Sequence, residues 1–356
     1  MGLIILFAGD ASSQQFTYDE LIAGMRFERN RIATGTFRAV GTWQFLMGTE
    51  KKVVFDGPVE LFVAFDFPNK KLRTDVKGVG FSNGKVVQDG FRIFCSHSDV
   101  AFRYSTLPGS KYPSLAIVSL KESGQSIFDG GLDIRSVGLA SPQVLFSSRS
   151  FDTAYVDYKP GVENRQEIVA LDKGIVLVTS KNEVNQDVSG FSEMSIDTNS
   201  GFTILRAVGG QRTGVGKDQK ENSVVESNIS WQRLQGVFVP SSFNCVSRNP
   251  VPGPPVSIED VRISLKLDWE SVNQPVDPGL FDYHKFELPK ITPVVDRRKD
   301  PSPVIEVLGM EGTNDTIRVP DPASRTFYWI VAIGGGLLFG GCYWLYRAGF
   351  AKKREL

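Results

Sequence analysis

The chain has 356 residues, with 40 Lys and Arg against 40 Asp and Glu. Four of the bases and one of the acids lie in the last ten residues, which leaves 36 bases against 39 acids before them. That mildly acidic remainder excludes a nucleic-acid-binding surface, which relies on clustered positive charge. A hydrophobic content of 41%, with 35 glycines and 25 phenylalanines, points to a packed, turn-rich, β-rich domain.

Residues 1–15, MGLIILFAGDASSQQ, read as the end of a secretory signal: a short apolar run, then small and polar residues. Leu6 stands where a myristoylation motif needs Ser or Thr. Thr17 and Glu20 form a capping box, and Tyr18, Leu21, Ile22, Met25 and Ile32 share one face, so the pattern predicts a helix over 18–32.

From Gly35 the period changes to two. Phe37, Ala39 and Phe45 open a series of strands that runs through Val53–Phe55, Val59–Phe67, Leu72–Val76, Phe91–Cys95, Ala101–Tyr104 and Leu115–Leu120. Asn83-Gly84 is a strong hairpin signal between Val79–Ser82 and Lys85–Gln88. Ser141-Pro142 starts a second expected helix near 142–157. Strands resume at Gln166–Leu171, Gly174–Ser180, Phe191–Asp197, Phe202–Ala207, Val224–Leu234, Val237–Cys245 and along the alternating Val261 to Trp269. This spacing is that of an antiparallel meander rather than of βαβ units.

Residues 16–290 therefore read as one β-rich domain. Prolines 289, 293, 301, 303, 320 and 322 suggest an extended stalk over 291–326. Phe327 to Tyr346 is twenty residues without an ionisable acid or base, with aromatic ends and a basic tail at 347–356. Roughly 30 Å of helix would span a bilayer, so the expected arrangement is a single-pass membrane protein. Basic residues beyond the span put its short tail in the cytoplasm and the large domain outside; a tail-anchored protein facing the cytosol is the alternative. Ala332, Gly336 and Gly340 form a small-residue stripe suited to helix pairing, hence to a homodimer.

The chemistry-bearing motifs fail on context. Gly80-Phe-Ser82-Asn-Gly84 has the form of a nucleophile elbow, but strand-like residues follow it where a helix is needed. Gly214-Val-Gly216-Lys217 lacks the earlier glycine and the following Ser or Thr of a phosphate loop. His97 and His284 are the only histidines; His284 and Glu287 have no identifiable third ligand. No catalytic residue, metal or cofactor is assigned, and the chain reads as non-enzymatic. Cys95 and Cys245 either form a disulfide or remain two buried thiols.

The order of elements, Asp197-Thr-Asn-Ser-Gly201 between strands, and Trp231 through Gly236-Val-Phe-Val-Pro240 resemble the bacterial outer-membrane lipoprotein-sorting carriers, the LolA/LolB-like family. The resemblance implies a curved antiparallel half-barrel with an N-terminal helix, one or two further helices, and a cavity for acyl chains. On it, the expected function is an extracytoplasmic protein, held at a membrane, that binds lipid, lipoprotein acyl chains or a protein partner. An envelope sensor or scaffold that self-associates through the span is the alternative. Val319-Pro-Asp-Pro322 also resembles the sorting signal of exosortase substrates, with Asp321 where those carry Glu.

Overall fold

The computed structural model describes residues 16–308 except 48–51, 83–84, 107–112, 124–125, 129–130, 140–164, 172–173, 186–187, 215–219, 249–257 and 289–291. The chain divides into two units, Met1–Glu287 and Leu288–Leu356.

The first unit begins with α1, Tyr18–Asn30. Thr17 accepts from the Glu20 amide at 3.3 Å while the Glu20 carboxylate accepts from the Thr17 amide at 2.7 Å, satisfying two donors that the first turn would leave open. Those bonds hold the Glu20 carboxyl below its ordinary range. Among the described residues thirteen strands follow: β1 Thr34–Met47, β2 Lys52–Asp66, β3 Lys71–Ser82, β4 Lys85–His97, β5 Val100–Thr106, β6 Leu115–Ser119, β7 Arg165–Ala170, β8 Ile175–Asn185, β9 Val188–Asp197, β10 Thr203–Thr213, β11 Lys220–Leu234, β12 Val237–Arg248 and β13 Ile258–Val272.

Their order across the sheet is β6-β5-β4-β3-β2-β1-β13-β12-β11-β10-β9-β8-β7. Two meanders thus lie side by side, and the first and last strands meet in the middle: Phe37 pairs with Trp269, Ala39 with Leu267 and Trp43 with Ile263. The alternation of β1, β2 and β13 puts Phe37, Trp43, Leu61, Val63, Ile263 and Leu265 on one buried face. Arg38, Glu60, Lys266 and Asp268 take the other face, where residues are exposed.

Because β6 and β7 stand at opposite edges of that order, the chain between them must cross the sheet. Residues 127–128 and 131–139 lie on its apolar face, anchored by Ser96 Oγ to the Ile127 carbonyl at 2.9 Å and by the Leu132 amide to Thr74 Oγ1 at 2.9 Å. Arg29, buried near the end of α1, donates to the carbonyls of Arg135 and Val137 and lies 4.9 Å from the Trp231 ring centroid. Leu132, Ile134 and Val137 join Leu21 and Met25 of α1 in one apolar cluster with the sheet. In the second unit, β14 Thr292–Asp296 and β15 Val304–Leu308 pair as an antiparallel hairpin inside the run expected to be an extended stalk.

The expected fold class needs correction. Among the described residues there is one α-helix, and none is long and apolar enough to cross a membrane. Helix α1 has 13 residues, about 20 Å at 1.5 Å per residue against the ~30 Å of a bilayer core. The second expected helix, the stretch Phe327–Tyr346 and its stripe Ala332, Gly336 and Gly340 lie outside the described residues. The C-terminal transmembrane helix is withdrawn from the architecture, and with it the single-pass arrangement and the homodimer built on it.

Candidate functional site

The polar face of the sheet is not uniform. Over β3 and β4 it is covered by a short segment, residues 278–287, that follows β13 in two 3-10 turns. Pro278 opens the first turn, and Asp277 caps it by accepting from the Gly279 amide at 2.8 Å. Asp282 caps the second by accepting from the His284 amide at 3.1 Å. These tight turns place Phe281 and Phe286 on the same side, and both are buried. Arg73 donates to the Leu280 carbonyl at 3.0 Å, Tyr283 stacks on Phe102 at 4.8 Å, and Lys71 lies over the Phe281 ring. Beneath them Ile93, Cys95 and Tyr104 are buried on a strand pair whose other face is also covered. That is why Phe91–Cys95 shows no alternation in the sequence.

Beside this clasp is a recess of about 200 Å³. Its floor follows from register. Phe62 on β2 lies between Arg38 on β1 and Asp75 on β3, and one step along the strands Glu60 faces Lys77. The clasp supplies the wall, with Leu280, Lys285 and Glu287. The Phe62 ring is half-buried, with the Arg38 guanidinium 5.2 Å and the Arg73 guanidinium 5.5 Å from its centroid.

Below the recess Arg73 and Asp75 form a buried bidentate pair, at 2.9 and 2.7 Å, and Phe286 sits 4.4 Å from the guanidinium. Burial pushes the Asp75 carboxyl above its ordinary range; Arg73 and Lys77 oppose that shift and Glu287 adds to it. At the rim, Arg38 pairs with Glu270 at 2.9 Å, both side chains well exposed. The recess thus offers ammonium and carboxylate groups around an aromatic floor.

Several residues singled out by sequence lie elsewhere. Cys95 and Cys245 are buried free thiols on β4 and β12. Cys95 Sγ lies 3.7 Å from the Phe281 carbonyl, and Ser227 Oγ lies 3.3 Å from Cys245 Sγ. Burial pushes both thiols up to about 12. Ser82 and Lys85 are antiparallel partners at the ends of β3 and β4, so a strand stands where the nucleophile elbow needs a helix. His284 contacts Asp282 at 2.9 Å in an exposed turn. Among the described residues no group of His, Cys, Asp and Glu could hold a metal ion. The recess itself had no sequence signature, because its charges come from three strands and a segment about 200 residues further along the chain.

No family model and no curated protein matches the chain. Among solved structures, a porin-like protein from Bacteroides uniformis is similar at 6% identity, covering 67% of this chain and 96% of its own, with a TM-score of 0.18. OpdQ of Pseudomonas aeruginosa is similar at 8% identity, covering 60% and 61%, with a TM-score of 0.12. OccK8 (OprE) of Pseudomonas aeruginosa is similar at 11% identity, covering 68% and 71%, also at 0.12.

The first of these is described as porin-like and none as a lipoprotein-sorting carrier, and the resemblance to the carriers is withdrawn. The extracytoplasmic lipid- or lipoprotein-binding function drawn from it goes as well, as does the self-associating envelope scaffold. The physical reason is in the packing: the apolar side that an acyl chain would need is occupied by α1, residues 127–128 and 131–139 and one continuous cluster of side chains.

Proposed function

We propose that this chain is a non-enzymatic binding protein for a small polar ligand, and that the recess between β1–β3 and residues 278–287 is its site. The observation that carries the reading is the recess itself, about 200 Å³ set into an otherwise paired and solvated sheet face. Drug-sized ligands occupy pockets of roughly 300–1,000 Å³, so the ligand that fits here is smaller. The floor is rigid: Arg73 is held by Asp75, the Leu280 carbonyl and Phe286 at once. A preformed site of this kind spends little binding energy on ordering itself.

A transmembrane pore is a poorer fit to the described residues. Such barrels turn apolar side chains outward around a polar interior. Here Arg38, Glu60, Lys266 and Asp268 line the exposed face, and the covered face is apolar. At a membrane, these strands belong on the aqueous side.

The test is a screen of small polar compounds by thermal shift on the full chain, followed by chemical-shift mapping. Compounds that stabilise the protein should perturb Phe62, Lys77 and Lys285, and their effect should vanish in Phe62→Ala. Hits that Phe62→Ala leaves unchanged would overturn the assignment of the site.

A further inference from the structure

We infer that the ligand of the recess is a compact zwitterion carrying an apolar group, of the size and kind of a free amino acid. The inference rests on the binding-site reading above and goes on to name the ligand class. It is carried by four charged groups that no salt bridge among the described residues engages, with Lys77 acting on Asp75 and Lys285 on Asp282 only through space. Two ion pairs at the recess are internally complete, Arg73–Asp75 and Arg38–Glu270. The remaining groups are Glu60, Lys77, Lys285 and Glu287. Among the described residues, none of these four enters an ion pair; Lys77 lies 5.6 Å from the Phe91 ring centroid.

Their placement brings both signs to each side. On the floor, Glu60 and Lys77 are cross-strand partners. On the wall, Lys285 and Glu287 are two residues apart, and Lys285 folds back on the first turn, where a Cβ at Gly279 would lie 2.7 Å from its Nζ. An anion would meet two carboxylates and a cation two ammonium groups, so each would lose at one pair what it gained at the other. Only a ligand with both charges finds a favourable partner for each. Between the charges, the half-buried Phe62 ring presents an apolar surface against which an aromatic or aliphatic group can pack. The volume sets the upper limit on that group.

The experiment titrates the full chain with L-phenylalanine, its methyl ester and 3-phenylpropionate, followed by calorimetry and by chemical shifts of Phe62 and Lys285. The amino acid should bind at least about tenfold tighter than the other two, a difference of about 1.4 kcal/mol. Glu60→Gln and Lys285→Met, both at exposed positions, should each remove most of that preference without altering the fold by circular dichroism. If the ester or the phenylpropionate binds as tightly as the amino acid, the zwitterion assignment is overturned and the recess remains a binding site. If none of the three, nor any other small polar compound, perturbs the recess, both readings fall.

Discussion

Arg73 donates from one edge of its guanidinium to the Asp75 carboxylate and from the other to the carbonyl of Leu280, 207 residues later. One side chain therefore ties the clasp to β3. Removing either partner leaves a buried charge uncompensated, so Asp75→Ala should cost about 3–5 kcal/mol in urea denaturation. Glu270→Ala, which breaks the exposed pair with Arg38, should cost less than about 1 kcal/mol. Equal costs would mean that the buried pair is not what holds the clasp.

The same pair gives stability a pH dependence of unusual sign. Burial raises the folded-state pKa of Asp75 above its unfolded value, so the folded state binds the proton more tightly. Its contribution is fully present below the unfolded pKa and is lost as pH rises through the folded pKa. The stability difference between wild type and Asp75→Asn should therefore shift against wild type across that window. A shift in wild type's favour would contradict the burial.

Arg29 acts on the apolar side as Arg73 does on the polar side. Arg29→Met removes charged donors from the Arg135 and Val137 carbonyls, at a cost of about 1.5–3 kcal/mol. Hydrogen exchange should quicken at the amides of Ser136, Val137 and Leu139, which close the turn that these carbonyls belong to. Amides of the β1–β13 ladder should keep their protection. Unchanged exchange at residues 136, 137 and 139 would show that this turn is held without Arg29.

Two glycines give opposite expectations. A Cβ at Gly41 would lie 1.7 Å from the Ser264 carbonyl oxygen, inside the β1–β13 seam. Gly41→Ala should destabilise by about 1–3 kcal/mol or more, since backbone must move. At Gly209 the nearest atom would be 3.6 Å away, so Gly209→Ala should stabilise by about 0.5–1 kcal/mol through lost unfolded-state freedom. Denaturation of both variants side by side checks the register.

The thiols of Cys95 and Cys245 should react with a disulfide reagent at pH 8 only after denaturant is added, because burial pushes both up to about 12. Peptide mapping without reductant should find no bond between them. Rapid labelling of either thiol in the native protein would contradict the packing around Phe281 or Ser227.

Much of the strand pattern was legible because alternation reports a half-buried sheet. Val261 to Trp269 alternate in sequence and β13 spans Ile258–Val272; the helix expected over 18–32 is α1 at Tyr18–Asn30. What misled was the long apolar run at 327–346 and a few short turn motifs, which drew the architecture toward a helix-anchored carrier. The clasp was legible only in part: Phe281, Tyr283 and Phe286 look like packing residues beside His284, but nothing local says what they pack on. Arg29 and Arg73 were illegible for a different reason. Buried arginines look like surface charges until a partner more than 100 residues away comes into view. The recess is an effect of register, and register is set by pairings that no single strand encodes.

The central seam has a consequence for how the protein is made. Gly35 and Val272 are direct partners across β1 and β13, so β1 must wait for more than 200 residues before its second neighbour exists. At ordinary rates of translation that wait is on the order of tens of seconds. Through it, β1 stands as an open edge on a half-built sheet, with Phe37 and Trp43 uncovered, ready to pair with the wrong chain. The recess, which needs β1 and the clasp together, comes into being only when synthesis has passed Glu287.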